Sequence, residues 1–407
     1  MDRNESEEKH AMSLAFDHGT YVVNHQELEE MGRTCCKSNA QTARSEDMSS
    51  DTKNPELSIV VPVLNEAGLI QELLRSLSSQ LGVEMEVVLS DGGSTDGTVE
   101  KAKVAARDCP FPVRLVRAHR GRGRQLNAGI SGSSGEWVLL LHADSLLPDR
   151  LALRKGLDAL LSAMQLVGHE QVAGRFALSF QGNGEALPRY LYFNEWKARL
   201  NRRECTHGDQ GFFLNRSFLA VVGPFMETLP VAEDTRFAET VRRLGEWILL
   251  PAGIITSARR FETEGFARRQ MLNAAMMTLV AIGREDFLLE MPLIYASQES
   301  ARRLHLLPFL IRIEEMVNNL SLRQQFSFWY SVGSYALGNA WQLAFALDVR
   351  RSSRCGDPAG KGSTPCLEMF EQYGRPLIDH PPGRVVTAAL VWISLRLLSI
   401  YLRIVGG

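Results

Sequence analysis

The chain has 407 residues, of which 45% are hydrophobic and 23% charged, with 45 Lys plus Arg against 47 Asp plus Glu and a formal net charge of -2. These proportions exclude a collagen-like, low-complexity or wholly disordered chain, and the near balance of charge leaves no bulk field to recruit nucleic acid. Six cysteines without a Cys-x-x-Cys pair exclude a disulfide scaffold and argue against a structural zinc site.

The charge is unevenly spread. Residues 1–54 hold 11 acidic and 6 basic residues, a net of -5, so the rest carries +3. This stretch has no apolar run for a secretory leader, and its acids argue against a transit peptide. A disordered acidic tail is expected, with Cys35 and Cys36 as incidental thiols or lipidation sites. A cytoplasmic protein follows, with membrane association through its C-terminal segments as a further option.

From Pro55 the pattern changes. Residues 57–64 form a β-branched apolar run, the mark of a strand buried on both faces. Residues 66–80 place Leu69, Ile70, Leu73, Leu74 and Leu77 at helical spacing. Strands at 86–90, 113–116 and 136–141 alternate with helices at 98–107 and from 124. This alternation predicts an α/β fold, a doubly wound, mostly parallel sheet with helices on both faces. Residues 172–180 and 210–220 read as further strands, antiparallel additions to the sheet. Residues 233–244 read as a helix stopped by Gly245. Helical pattern dominates beyond 266, as in 268–284 and 309–323. Residues 324–347 carry no charge, and 385–405 only Arg396 and Arg403; each is near the length of about 20 residues that crosses a bilayer. Arg396, Ser399 and Arg403 share one helical face, so 385–405 is open to three readings: a span, an interfacial helix in contact with a membrane, or a core helix. Were both segments to span, Cys355 and Cys366 in the connector could pair.

In an open α/β sheet, ligands bind beyond the carboxyl ends of the strands. Asn65 and Glu66 follow the first strand, Asp91, Gly92 and Gly93 the second, Arg120 to Gln125 the third, and His142 and Asp144 the fourth. Asp91 can accept hydrogen bonds from a base edge or ribose; the plainer reading is a capped turn. Asp144 can hold Mg²⁺ or Mn²⁺; the plainer reading is a helix cap. Arg120, Arg122 and Arg124, spaced by Gly121 and Gly123, form a basic loop suited to phosphate. A dinucleotide fingerprint fails there, because Leu126 stands where the third glycine belongs.

Val-Val-Pro-Val-Leu-Asn-Glu66, Asp-Gly-Gly-Ser-Thr-Asp-Gly-Thr98, Gly-Arg-Gly-Arg-Gln-Leu-Asn-Ala-Gly129 and Leu-Leu-Leu-His-Ala-Asp144 resemble the nucleotide-binding half of glycosyltransferase family 2, in particular the rSAM/selenodomain-associated transferase 2 subgroup. His-Gly-Asp-Gln210, Ala-Glu-Asp234 and Thr-Ser-Ala-Arg-Arg-Phe-Glu262 agree, and the likeness covers residues 57–265. The resemblance implies a GT-A fold over 55–265, followed by a helical extension (266–323) and an apolar C-terminal region (324–407). It implies a nucleotide-diphosphate sugar donor, with Pro62, Glu66 and Asp91 facing base and ribose. Asp144 would be the last acid of a metal motif, where His142 departs from the usual first Asp. Asp234 would be the general base of an inverting transfer, with Glu233 as the alternative. Asp209 and Gln210 would line the sugar or acceptor, and Arg259 and Arg260 would close over the diphosphate. Two other classes stay open: a non-catalytic nucleotide-sugar-binding module, and a nucleotidyltransferase, which the Asn-Glu-Ala-Gly68 loop disfavours. The acceptor is not named by the sequence.

Overall fold

The computed structural model describes residues 54–182, 189–296, 298 and 303–405. The acidic tail with Cys35 and Cys36 therefore lies outside the described residues, apart from Asn54. Seven strands form one sheet: β1 Leu57–Val63, β2 Met85–Asp91, β3 Val113–Arg117, β4 Trp137–Leu140, β5 Val172–Gln181, β6 Phe212–Asn215 and β7 Glu246–Ser257, in the order β3-β2-β1-β4-β6-β5-β7. β1 to β4 are mutually parallel; β6 runs antiparallel to both β4 and β5, and β7 is parallel to β5. The expected doubly wound, mostly parallel sheet is what forms.

Side chains on β1 alternate between the two faces, the period-2 geometry of a strand. Ile59 and Val61 pack with Leu73, Leu77 and Leu157, from the helices Ile70–Ser78 and Ala152–Val167. Val60 packs with Leu126, Phe237 and Val241, from the helices Arg122–Ser131 and Glu233–Leu244. Helix Arg122–Ser131 comes so close that a Cβ on Gly129 would sit 2.4 Å from Val60 Cγ1. Near the amino ends of β1 and β2, buried Glu86 accepts hydrogen bonds from Ser58 Oγ (2.7 Å), Ser134 N–H (2.6 Å) and Ser134 Oγ (2.9 Å). Burial opposes its charge, but these bonds and Arg114 hold its pKa below the usual value.

Two local readings change. The strand expected over 210–220 stops at Asn215, whose Oδ1 accepts from Phe218 N–H at 2.7 Å and caps the helix Arg216–Val222. The long strand β7 carries Pro251, which hid it from the pattern; it is tolerated because β7 is the edge of the sheet.

Beyond the sheet lie the helices Phe266–Ala281, Leu307–Asn318, Leu322–Gly338, Trp341–Cys355 and Pro381–Val405. The uncharged stretch 324–347 is not one rod of membrane-spanning length. It breaks at Asn339, whose backbone N–H and side-chain Nδ2 both bond the Tyr335 carbonyl, and the buried faces of its halves join different clusters. Phe328 and Val332 pack with Leu272 and Phe309, whereas Trp341 and Phe345 pack with Trp196. Gly333 admits the Pro381–Val405 helix so closely that a Cβ there would lie 2.4 Å from the Arg384 carbonyl. Cys355 and Cys366 are free thiols.

Candidate active site

The strand order reverses direction between β1 and β4, and the register sets Val63 beside Asp91 and Val60 beside Leu140. The carboxyl ends of β1, β2 and β4 therefore open on one crevice. Two loops there are stitched together. Asn65, in a left-handed conformation (φ 56°), donates its N–H to Ser94 Oγ (2.9 Å) and accepts from Thr95 N–H on Oδ1 (2.9 Å). Glu66 N–H donates to Thr98 Oγ1 (2.8 Å) and Ala67 N–H to Asp96 Oδ2 (3.0 Å). Asp91 is buried and accepts from the N–H groups of Gly93 (3.2 Å) and Ser94 (3.1 Å). A carboxylate has about four acceptor sites, so it keeps capacity for a ligand.

Several residues expected at the nucleotide-sugar site make contacts that hold the scaffold together. Gln125 is buried, and its amide nitrogen donates to the Val63 and Ser90 carbonyls (2.8 and 3.0 Å), tying β1 to β2. A side chain at Gly92 would strike that amide. A Cβ at Gly123 would lie 2.8 Å from the Met226 carbonyl. Gln210 turns into the core, accepting from Arg175 Nη1 (2.8 Å) and donating to the Cys205 carbonyl (2.7 Å). Pro62 is half-buried within β1, and Arg120 is exposed.

The arginine that reaches the crevice is Arg122, first residue of the helix after β3. Its Nε lies 2.9 Å from Glu233 Oε1 and its Nη1 3.1 Å from His142 Nε2. Burial works against its charge, but Glu233, Asp234, Asp209 and Asp144 raise its pKa overall. A guanidinium only donates, so His142 Nε2 accepts and the imidazole proton is assigned to Nδ1. Burial and the Arg122 charge push His142 down to about 4, so it is neutral at pH 7. Metal ligation through Nε2 would have to displace Arg122.

Glu233 and Asp234 open the helix Glu233–Leu244, which follows Ala232 at a positive φ of 66°. That strained residue aims both acids into the crevice. Asp234 Oδ2 accepts from Gly208 N–H (2.8 Å) and Oδ1 from Thr235 N–H (2.8 Å). Burial alone would raise its pKa; Arg122, His207, the Gly208 N–H and His142 outweigh burial and lower it. Gly208 is required, since a Cβ there would stand 2.9 Å from Asp234 Oδ2 and 3.1 Å from His142 Nε2. Neighbouring Glu233, only 1% exposed, is pushed up to about 7 by burial and the Asp234 charge, against the pull of Arg122. Asp209 is likewise raised to about 7 by burial, Asp234 and Asp144, and its Oδ1 is buried with no hydrogen-bond partner among the described residues. Adjacent acids with pKa values driven apart carry different roles: Asp234 is a carboxylate at neutral pH, while Glu233 and Asp209 are near half-protonation.

Glu233 yields a stability test. Its folded pKa of about 7 exceeds its ordinary value of 4.5. The folded state therefore binds the proton more tightly, and the associated stability is full below pH 4.5 and lost as pH rises through about 7. Glu233→Gln is expected to gain on the parent by about 2–3 kcal/mol between pH 5 and pH 8, read from denaturant midpoints at the two pH values.

At the rim, Arg259 Nη2 lies 3.7 Å from Glu66 Oε2, and Arg260 is within the field of Asp144 and Arg122. Among the described residues, no group of three His, Cys, Asp or Glu side chains is set to hold a metal. No hydrogen bond or ion pair with a described residue occupies the Asp144 carboxylate. That donor set fits a hard cation held by one carboxylate and by phosphate oxygens of a substrate. From the sequence Arg122 is only one arginine of the basic loop, with no more weight than Arg120, and His207 only the first residue of the His-Gly-Asp-Gln210 motif. Their signal was their place at a helix start and beside the Gly-Asp-Gln turn, which acquires meaning only when the strands are ordered.

Residues 58–220 match the family model for Glycosyl transferase family 2. The succinoglycan biosynthesis protein ExoA of Rhizobium meliloti is 33% identical over 213 residues, covering 49% of this chain and 61% of that protein. Glycosyltransferase AglE of Haloferax volcanii is 27% identical over 196 residues, covering 47% of this chain and 62% of that protein. The chain thus spans under two thirds of the length of these two relatives. Among solved structures, it is similar to a mannosyltransferase of Pyrobaculum calidifontis in complex with GDP-Man and Mn²⁺, with TM-score 0.42, 19% identity and coverage of 92% of this chain and 94% of that one.

Proposed function

We propose that this chain is an inverting glycosyltransferase that moves a sugar from a nucleotide-diphosphate sugar to an acceptor hydroxyl, of the GT-A type and nearest the rSAM/selenodomain-associated transferase 2 subgroup. The observation that carries the reading is the convergence of a carboxylate of lowered pKa, Asp234, with the guanidinium of Arg122 at the carboxyl ends of parallel strands. The family match over 58–220 supports it.

In this reading Asn65, Glu66 and Asp91 take the base and ribose, and Arg122, with Arg259 and Arg260 at the rim, faces the diphosphate. Asp234 accepts the proton of the acceptor hydroxyl as its oxygen bonds to the anomeric carbon. The bond from that carbon to the phosphate oxygen breaks, and its electron pair leaves with the nucleoside diphosphate, where Arg122 stabilises the charge. One displacement with one base inverts the anomeric centre. Asp209, when protonated, donates a hydrogen bond to a sugar hydroxyl. Asp144 would hold Mg²⁺ or Mn²⁺ against the diphosphate, and the ion would neutralise the leaving group. The protein is placed in the cytoplasm, associated with a membrane through its C-terminal region.

A thermal-shift panel of UDP-, GDP- and dTDP-sugars with and without Mn²⁺ tests the donor, since ligand binding raises stability by mass action. A melting point unmoved by every donor in both conditions would refute the reading. Asp144→Ala is expected to erase the Mn²⁺-dependent part of the shift and to abolish transfer; an Mn²⁺ response equal to the parent's would remove Asp144 from the metal.

A further inference from the structure

The helix Pro381–Val405 is built inside out for a helix on a soluble protein. Such a helix turns its apolar stripe inward and its polar face to water. Here Ala388, Ser399 and Leu402 are buried, while Val386, Leu390, Ile393, Leu397, Ile400 and Ile404 are all exposed. These six recur at intervals of four, three, four, three and four residues, one continuous stripe. By length and composition the helix is long and apolar enough to cross a bilayer, and little of it is buried against the rest of the protein.

Its arginines argue against crossing. Arg396 pairs with Glu314 of the helix Leu307–Asn318, and Arg403 lies 3.7 Å from the same carboxylate. That helix also carries Arg312, which pairs with Glu290 and Glu315. A span would draw this charged layer into hydrocarbon or strip it from the helix, at several kcal/mol per charge. Lying flat retains every pair and buries only the exposed stripe.

The charge of the region favours lipid over a second copy of the chain. Residues 321–405 hold nine Lys and Arg against five Asp and Glu, and a recess on the helix Trp341–Cys355 is lined by Leu347, Arg350, Arg351 and Arg354. Two copies would bring like charge together, whereas an anionic surface attracts it. We infer that Pro381–Val405 lies flat in the headgroup region of an anionic membrane, with its 386–404 stripe toward the acyl chains. The inference rests on the membrane association proposed above and fixes its mode; it does not depend on the transfer chemistry.

The test is flotation of the full chain, without sugar nucleotide, with vesicles of phosphatidylcholine alone or mixed with phosphatidylglycerol. Binding to the mixed vesicles is expected, weakened by salt. Leu390→Glu/Leu397→Glu should reduce the bound fraction by about tenfold or more with an unchanged melting point, because both side chains are already in water in the free protein. Trp392, also exposed, reports depth: lipids brominated near the headgroup should quench it more than lipids brominated near the chain ends, and Trp392→Phe should remove the difference. Stronger quenching from the chain ends would retain membrane association and overturn the flat mode. Failure to float with either vesicle, or a dimer that the double Glu variant dissolves, would overturn the lipid partner itself.

Discussion

Asp234→Asn is expected to lower kcat by about a thousandfold while donor binding, read by the thermal shift, stays within twofold of the parent. The amide keeps the size of the carboxylate and can still accept from Gly208 N–H, the 2.8 Å bond that orients the side chain, but it cannot take a proton. Environment favours Asp234 over the competing assignment, Glu233. Glu233 is 1% exposed and tied to Arg122, with its pKa raised to about 7, whereas the pKa of Asp234 is lowered. Glu233→Gln should therefore retain far more turnover than Asp234→Asn. Parent-like turnover in Asp234→Asn would exclude it as the base, and the reverse ranking would transfer the role to Glu233.

Arg122→Gln is expected to cost both turnover and stability. Its guanidinium is the positive group nearest the buried Glu233, and it also holds His142. Loss of one preorganised charge beside a developing anion costs about a hundredfold to a thousandfold in kcat. The guanidinium is 34% exposed, so solvent screens part of the pair, and the stability loss is about 2 kcal/mol at pH 8. Near pH 5, below the Glu233 pKa, that loss should shrink because the carboxyl takes a proton instead. The double variant Arg122→Gln/Glu233→Gln separates the two effects. Part of the stability returns, because Glu233 no longer places a charge beside the missing guanidinium although Asp234 still lacks it, while turnover does not. Recovery of turnover in the double variant would mean that Arg122 acts only as the partner of Glu233.

Much of the fold was legible in the chain. The β-branched run 57–64 and the helical stripe after it are local patterns, and alternation of the two restricts a parallel sheet to few topologies. The polar strand ends, from Asn65 to Asp144, were legible for the same reason: ligand-facing residues follow strands in sequence as they do in space. Local pattern could not give the strand order around β6 and β7, because those pairings join residues more than thirty positions apart. It also could not tell Gln210 from Asp209. They are adjacent and equally polar, yet Gln210 accepts a hydrogen bond from buried Arg175 and Asp209 is left with a buried oxygen that has no partner among the described residues.

By itself the sequence determined the class of sheet, the edge that carries chemistry, and the presence of a basic loop near several acids. Tertiary structure decided which members of that set meet. Arg122 enters the crevice while Arg120 stays in solvent. Asp234 is held as a carboxylate by Arg122, by His207 and by a backbone N–H from a turn 26 residues away. The uncharged 324–347 stretch is broken into two helices that each bury one face, while 381–405 is left with its apolar stripe outward. The physical reason is common to all of these. Composition and spacing fix what a segment can pack, but burial, dielectric and charge depend on the neighbours that fold against it, and those come from distant parts of the chain.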